Sequence, residues 1–270
     1  MKTNSVPSAS TTSPRTPSGK LYVCGLGPGD TALLTPQAEA ALAVSQAVLG
    51  YSTYVDLLPA RLLHGKAITR GRMGGEVERC EAALRVASAG QTTCLVSSGD
   101  AGIYGMAGLV LELDERLRRD DPAYVSPEIE IIPGVPALAA AAALLGAPLT
   151  HDFAVISLSD LLTPWELIEK RLAAAAQADF VLVLYNPSSR GRAPQFAEAW
   201  RLLRGLCGDE RPYGLVREAF RPGQQVSAGI MADLNPADVD MLSILFIGNS
   251  QTRLQGKRMV TPRGYFPGQI

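Results

Sequence analysis

Two glycine-rich stretches carry the residues that could do chemistry in this chain of 270 residues. The first, residues 25–30, is GLGPGD, and the second, residues 98–105, is SGDAGIYG. Glycine allows close approach to backbone N–H and C=O groups, so such loops can hold the polar groups of a small ligand. A structural turn between a strand and a helix is the alternative interpretation of each loop taken alone.

Neither stretch matches the two best-known nucleotide fingerprints. The dinucleotide motif G-x-G-x-x-G requires a third glycine where this chain has Asp30, and no acidic residue follows at a suitable strand end about 20 residues later. The phosphate-binding loop requires Gly-Lys followed by Ser or Thr, which neither stretch contains. The loops alone therefore do not identify their ligand.

The surrounding elements place both loops at the ends of strands. Residues 21–24 are apolar and predict a buried strand, after which Thr35 and Pro36 predict the start of a helix. Residues 92–97 predict the strand before the second loop, and we expect a helix over residues 102–119. Alternating strands and helices predict a mainly parallel sheet, with ligands bound beyond the carboxyl ends of its strands.

Further elements along the chain predict an α/β fold with two domains. The other predicted strands are residues 48–50, 128–132, 153–158, 179–185, 213–216, 225–231 and 242–247. The other predicted helices are residues 76–89, 137–145, a segment from a capping box at 163–166 through 176, and 193–206. Residues 69–75, TRGRMGG, predict a flexible basic loop.

The domain boundary is predicted near Gly134. This gives an N-terminal α/β domain at residues 20–134, a C-terminal α/β domain at 135–258 and a C-terminal tail at 259–270. Residues 1–19 are rich in Ser, Thr and Pro without an apolar run, which predicts a disordered tail rather than a secretory signal.

Composition limits the classes of partner and site. A formal net charge of -1 leaves no basic excess, which argues against a nucleic-acid partner. The four cysteines stand far apart with only two histidines to join them, so no metal site is predicted. The longest apolar segment is too short to span a bilayer, so no membrane partner is expected. Unpaired thiols indicate a reducing compartment and therefore the cytoplasm.

Three segments, in this order and spacing, resemble the tetrapyrrole methylases that use S-adenosylmethionine. They are GLGPGD at residues 25–30, SGDAGIYG at 98–105 and PGVPA at 133–137. Within that family the chain is most similar to the enzymes that methylate carbon 17 of the corrinoid precorrin-3B in cobalamin biosynthesis. That narrower resemblance is carried by GIYGMA at 102–107, LYNP at 184–187, VREA at 216–219, RPG at 221–223 and IGNSQT at 247–252.

The resemblance implies a homodimer of two-domain chains, with S-adenosylmethionine held in the cleft between the domains and released as S-adenosylhomocysteine. The donor contacts that it implies are Pro28, Gly99, Asp100, Ala101, Ile103, Pro136, Ala137, Tyr185, Asn186 and Leu215. Close backbone approach suits this donor, because its amino, carboxylate and adenine groups can all be held by backbone N–H and C=O groups.

The implied substrate is a ring that carries many carboxylates, which guanidinium groups bind well. The candidates lie in predicted loops or at strand ends, together with one tyrosine that could face the ring: Arg70, Arg72, Arg190, Arg192, Arg217, Arg221 and Tyr104. The chain departs from many relatives at Ser188, where an arginine often follows Asn-Pro. Solvated surface charge, for an arginine, and core packing, for Tyr104, are the structural alternatives.

Methyl transfer from a sulfonium needs alignment more than acid–base help. The resemblance also implies contraction of the ring, in which a ring hydroxyl loses a proton to a carboxylate or an imidazole. The candidate proton acceptors are Asp100, Asp30 and His151. Each has a structural alternative, because an aspartate after glycine commonly caps a turn or helix and a single histidine is commonly structural.

The prediction is a cytoplasmic, S-adenosylmethionine-dependent C-methyltransferase that converts precorrin-3B to precorrin-4 with coupled ring contraction. Two alternatives stay open. The first is a sister enzyme that acts on another corrinoid position or on the cobalt-containing precursor. The second is a non-catalytic regulator that binds a nucleotide.

Overall fold

The first half of the chain forms a parallel β-sheet in the computed structural model, which describes residues 19–188 and 193–265. Its strands are β1 (Lys20–Gly25), β2 (Ala47–Tyr51), β3 (Ala67–Gly71), β4 (Thr93–Ser97) and β5 (Glu128–Ile132). They lie in the order β3-β2-β4-β1-β5, and every neighbouring pair is parallel. The helices are α1 (Pro36–Val44), α2 (Ser52–Val55), α3 (Ala60–Leu63), α4 (Glu76–Ser88) and α5 (Ala107–Asp120).

Side chains of β1 alternate between two apolar cores, one on each face of this sheet. Leu21 and Val23 pack in a core with residues of α4 and α5, whereas Cys24 packs in a core with residues of α1. Successive side chains of a strand point to opposite faces of the sheet, so an unbroken apolar run indicates a strand that is buried on both faces. Because helices cover both faces, the carboxyl ends of the strands are left to meet a ligand.

The second half forms a mixed sheet in the order β10-β9-β11-β8-β7. Its strands are β7 (Phe153–Ser157), β8 (Val181–Tyr185), β9 (Pro212–Arg217), β10 (Gln225–Ile230) and β11 (Ser243–Ile247). β7 and β8 are parallel, and the other neighbours are antiparallel. Helix α6 (Ala137–Leu145) packs on one face, and α7 (Trp165–Gln177) and α8 (Ala193–Cys207) pack on the other.

A small third sheet ties the end of the chain to the second half. It joins β6 (Gly146–Ala147), β12 (Arg253–Gln255) and β13 (Arg258–Val260). Thr261 adds two hydrogen bonds to the second half: its hydroxyl donates to the Pro148 carbonyl at 2.7 Å, and its N–H donates to the Ala147 carbonyl at 3.0 Å. Residues 259–261, which the sequence analysis placed in a tail, are therefore held by the fold.

The α/β prediction is confirmed, and most predicted strands and helices are present with ends shifted by one or two residues. The predicted cap at Thr35 is also present, since its hydroxyl accepts the Ala38 N–H at 3.1 Å and Pro36 begins α1. The second sheet differs from a purely parallel one, because β11 inserts antiparallel between β8 and β9. The domain boundary near Gly134 stays a prediction.

Two predicted helix starts are wrong. The helix predicted from residue 102 begins at Ala107, because the Asp100 carboxylate binds the N–H groups that follow it and holds a turn instead. The capping box at residues 163–166 is not formed: α7 begins at Trp165, with Pro164 as its cap residue and no side-chain cap.

The predicted loop at residues 69–75 is wrong in its first part. Residues 69–71 belong to β3, an edge strand that pairs with β2 along its whole length. β3 is mostly exposed, so it lacks the apolar pattern by which a buried strand is recognised in a sequence.

The stability of the folded protein should be sensitive to substitution of Gly134. A Cβ at this position would lie 2.7 Å from the carbonyl carbon of Gly25 and would also collide with the Gly99 carbonyl oxygen. We expect Gly134→Ala to lower the free energy of unfolding by about 1–3 kcal/mol, because backbone cannot move aside easily. Urea unfolding followed by circular dichroism measures the change.

The matched control is Gly108→Ala in α5, where a Cβ would meet nothing within 4 Å. This change should raise the free energy of unfolding by up to about 1 kcal/mol, because alanine favours helix. Equal effects of the two substitutions would contradict the close packing at Gly134.

Candidate active site

A cleft with about 880 Å³ of empty space, part of it open to solvent, lies between the two halves. The first half lines it with Pro28, Tyr54, Ser98, Gly99, Asp100, Ile103 and Tyr104. The second half lines it with Ala137, Tyr185, Asn186, Val216, Glu218, Ala219, Arg221, Met241, Leu242, Ser243 and Ile244. Both predicted glycine loops therefore reach one cleft, at the carboxyl ends of β1 and β4.

The two glycine loops bind each other through their backbones. The Gly27 N–H donates to the Gly99 carbonyl at 3.0 Å, and the Gly99 N–H donates to the Gly27 carbonyl at 2.7 Å. The contact follows from the sheet, because β1 and β4 are adjacent parallel strands and their ends point the same way. The loops thus form a single wall of the cleft.

Asp100 lies in this wall, and its carboxylate orders the backbone around it. One carboxylate oxygen accepts the N–H groups of Gly102 at 2.8 Å and Ile103 at 3.2 Å. The other accepts the Gly134 N–H at 3.0 Å. Asp100 therefore joins three backbone segments, in addition to facing the cleft.

The other two proton-acceptor candidates lie outside the cleft lining. The Asp30 carboxylate caps a turn by accepting the Ala32 N–H at 2.8 Å. His151 lies just before the start of β7. The other end of that strand, Ser157, is the one near the cleft, because it pairs with Tyr185. The His151 Nδ1 accepts the Asp152 N–H. Within one chain, the contact of Asp30 therefore matches its structural interpretation, and neither Asp30 nor His151 lines the cleft.

Two tyrosines connect the halves at the cleft floor. The Tyr104 hydroxyl donates to the Val155 carbonyl at 3.2 Å, and its ring lies 5.1 Å from the ring of Tyr185. The Tyr185 hydroxyl accepts the Leu138 N–H in the first turn of α6 at 2.9 Å. Burial raises the pKa of Tyr185 to about 12 and raises the pKa of Tyr104, so both phenols are neutral at physiological pH.

The predicted donor contacts fall into two groups. Those that line the cleft are Pro28, Gly99, Asp100, Ile103, Ala137, Tyr185 and Asn186. Pro136 borders Gly99, whereas Ala101 is fully buried beneath the wall. Leu215 points into the core with α7 and α8, and its neighbour Val216 reaches the cleft instead. Strand alternation explains this one-residue difference.

Of the predicted substrate arginines, Arg190 and Arg192 lie outside the described residues. Three others have acidic partners: Arg70 is 3.1 Å from Asp56, Arg72 is 3.7 Å from Glu78, and Arg217 is 2.7 Å from Asp240. None of these three arginines is part of the cleft lining, whereas Arg221 is. Tyr104 also lines it and is half exposed.

Some cleft residues were not among the predicted donor or substrate contacts. They are Tyr54, Ser98, Val216, Glu218, Ala219 and residues 241–244. One structural signal marks Glu218 among these residues, since its φ is near +50°, as it is at the predicted contacts Tyr104 and Asn186, and all three line the cleft. Such strain is costly for residues other than glycine and concentrates at functional sites.

The Tyr185 hydroxyl should contribute measurably to stability. Tyr185→Phe leaves the buried Leu138 N–H without its acceptor, so we expect the free energy of unfolding to fall by about 1–3 kcal/mol. Urea unfolding measures the change. Tyr265→Phe, at a side chain 81% exposed, is the control and should have no effect.

The effect of Tyr185→Phe on the free energy of unfolding should also depend on pH. Above about pH 10, unfolded wild-type chains lose the tyrosine proton that the folded protein keeps. The free energy of unfolding of wild type should therefore fall with rising pH and approach that of the phenylalanine variant. A constant difference from about pH 8 to about pH 11 would contradict the raised pKa of Tyr185.

Comparisons with known proteins agree with this geometry. The tetrapyrrole (corrin/porphyrin) methylase family matches residues 20–235. A probable cobalt-factor III C(17)-methyltransferase of Salmonella typhimurium is 47% identical over 91% of this chain and 99% of its own length. A precorrin-3B C(17)-methyltransferase of a Sinorhizobium species is 40% identical over 92% of this chain and 97% of its own.

A solved structure has the same fold. The crystal structure of the methyltransferase CobJ superposes with a TM-score of 0.84 at 39% identity, over 91% of this chain and 100% of that one. The family match extends from β1 into the segment after β10, and so includes the whole first sheet and every strand of the second except β11. The chain therefore belongs to the tetrapyrrole (corrin/porphyrin) methylases.

Proposed function

We propose that this protein transfers the methyl group of S-adenosylmethionine to carbon 17 of a corrinoid precursor of cobalamin. The observation that carries the proposal is the single wall formed by the loops at Gly27 and Gly99, in a cleft that both halves line. The names of the relatives at 47% and 40% identity support the position of methylation. Precorrin-3B is the substrate that we propose first.

The proposed donor site consists mainly of backbone groups and apolar surface. The loops at Pro28 and Gly99, and the start of α6 at Ala137, would hold the amino, carboxylate and adenine groups of the donor. Tyr185 and Asn186 would border it from the second half. When bound, the donor supplies an electrophilic methyl group on sulfur.

The residues of this chain would act by alignment. Methyl transfer is an in-line displacement, and holding two reactants in register can supply much of the rate enhancement. A cleft whose walls come from two separately packed sheets suits that task, because residues of both halves together can hold the two reactants in a fixed relative position. The tyrosines at positions 104 and 185 link the two walls.

A coupled ring contraction would require a proton acceptor, and Asp100 is the only one of the three predicted acceptors that lines the described cleft. Its carboxylate already accepts three backbone N–H groups, so it orders the wall as well. We keep Asp100 as the proposed acceptor and withdraw Asp30 and His151.

The cobalt-containing precursor is the second candidate substrate. The relative with 47% identity carries the name cobalt-factor III C(17)-methyltransferase, whereas the relative with 40% identity carries the name of the cobalt-free precorrin-3B. We further propose a cytoplasmic homodimer, as the resemblance implies. In the part of the chain that the structure describes, no helix is long and apolar enough to cross a membrane.

Incubation with carbon-13 methyl-labelled donor tests the proposed reaction. Purified protein is mixed with either precorrin-3B or cobalt-factor III, and the product is examined by mass spectrometry and NMR. We expect label at carbon 17 of one substrate, together with the mass and carbon connectivity of a contracted ring. Label at another carbon would indicate a sister enzyme instead, and donor binding without any transfer would indicate a regulator.

A further inference from the structure

Arg221 reaches from the second half of the chain to both glycine loops of the first. Its Nε donates to the Pro28 carbonyl at 2.7 Å, and its Nη2 donates to the Ser98 hydroxyl at 2.9 Å. Pro28 lies in the loop after β1, and Ser98 lies in the loop after β4. One side chain thus binds both members of the cleft wall from across the cleft.

The first loop is shaped to accept this side chain. A Cβ at Gly29 would lie 2.7 Å from Cγ and 2.9 Å from Nε of Arg221. Gly29 also has φ of +147°, which disfavours any other residue. The arginine stem therefore packs directly on the backbone of the loop, where only glycine leaves room.

The segment that presents Arg221 is a strained turn between β9 and β10. The Arg221 N–H donates to the Glu218 carbonyl, and the Gln224 N–H donates to the Arg221 carbonyl, each at 3.0 Å. Glu218 and Phe220 both have positive φ, of +49° and +56°. Such conformations are costly for residues other than glycine, so they persist where surrounding contacts require them.

The partners of Arg221 distinguish it from the other predicted substrate arginines that the structure describes. Arg70, Arg72 and Arg217 face carboxylates, whereas the partners found for Arg221 are a backbone carbonyl and a hydroxyl. An arginine intended for a carboxylate of the macrocycle would keep its fork directed at that ligand. Here Nε and Nη2 of the Arg221 guanidinium group already donate to the two loops.

We propose that Arg221 is a positioning residue for the methyl donor, which holds the loops at Pro28 and Ser98 in their binding arrangement. This inference rests on the proposed function in taking S-adenosylmethionine as the ligand of those loops. It replaces the sequence-based prediction that Arg221 binds the macrocycle. The loops are then competent for the donor only when the second half is docked against them.

Binding of S-adenosylhomocysteine, measured by calorimetry, separates the two roles without relying on turnover. We expect Arg221→Ala to weaken this binding by about tenfold or more, because two hydrogen bonds that order the loops are lost. Arg221→Lys should recover part of the loss, since an ammonium can reach one acceptor. Ser98→Ala should weaken binding less than Arg221→Ala.

The double variant Ser98→Ala/Arg221→Ala provides a second readout. If the arginine acts through Ser98 and Pro28, the two substitutions should be non-additive, and the double variant should bind about as weakly as Arg221→Ala alone. Arg201→Ala on α8, where the side chain is 80% exposed, is the control and should bind like wild type. Circular dichroism and urea midpoints verify that each variant is folded.

Unchanged S-adenosylhomocysteine affinity in folded Arg221→Ala, with a raised KM for the macrocycle, would overturn the inference in favour of direct substrate binding. If Arg221→Ala does not fold, Arg221→Lys and Ser98→Ala decide the question, and wild-type affinity in both would overturn the inference. Wild-type protein that binds no S-adenosylhomocysteine would instead contradict the proposed function, before any variant is compared.

Discussion

The cleft depends on the hydrogen bonds of the Arg221 guanidinium group, which join the second half of the chain to both glycine loops of the first. The loops already bind each other at Gly27 and Gly99, but that contact belongs to the first sheet alone. Arg221 fixes the position of one half relative to the other, and a displacement between two bound reactants requires such a fixed geometry. Tyr104, which donates to the Val155 carbonyl, makes a second connection of the same kind.

The sequence predicts the frame well, because the buried strands carry unbroken apolar runs and the main helices carry clear periodicity or caps. β1 and α1 are the clearest cases, with the cap at Thr35 formed as expected. β3 is missed because an exposed edge strand has no apolar run. The predicted start of α5 is wrong because the side chain of Asp100, which precedes Ala107 in the chain, holds the backbone in a turn.

The candidate site is predictable only in part, for a similar reason. The two loops could be placed together because neighbouring parallel strands end at the same edge of a sheet. Sequence position could not show that Asp30 caps a turn outside the cleft lining or that His151 lies at the opposite end of β7. Nor could it show the reach of Arg221, which depends on how two sheets dock over a separation of 193 residues.

A crystal structure of the protein with S-adenosylhomocysteine would test the role of Arg221 and the position of the donor together. We expect the ligand to lie in the cleft, against the loops at Pro28 and Gly99 and beside Tyr185, with Arg221 still bound to the Pro28 carbonyl and the Ser98 hydroxyl. A ligand bound away from these loops, or an Arg221 side chain turned from them toward solvent while the ligand is in place, would contradict this expectation.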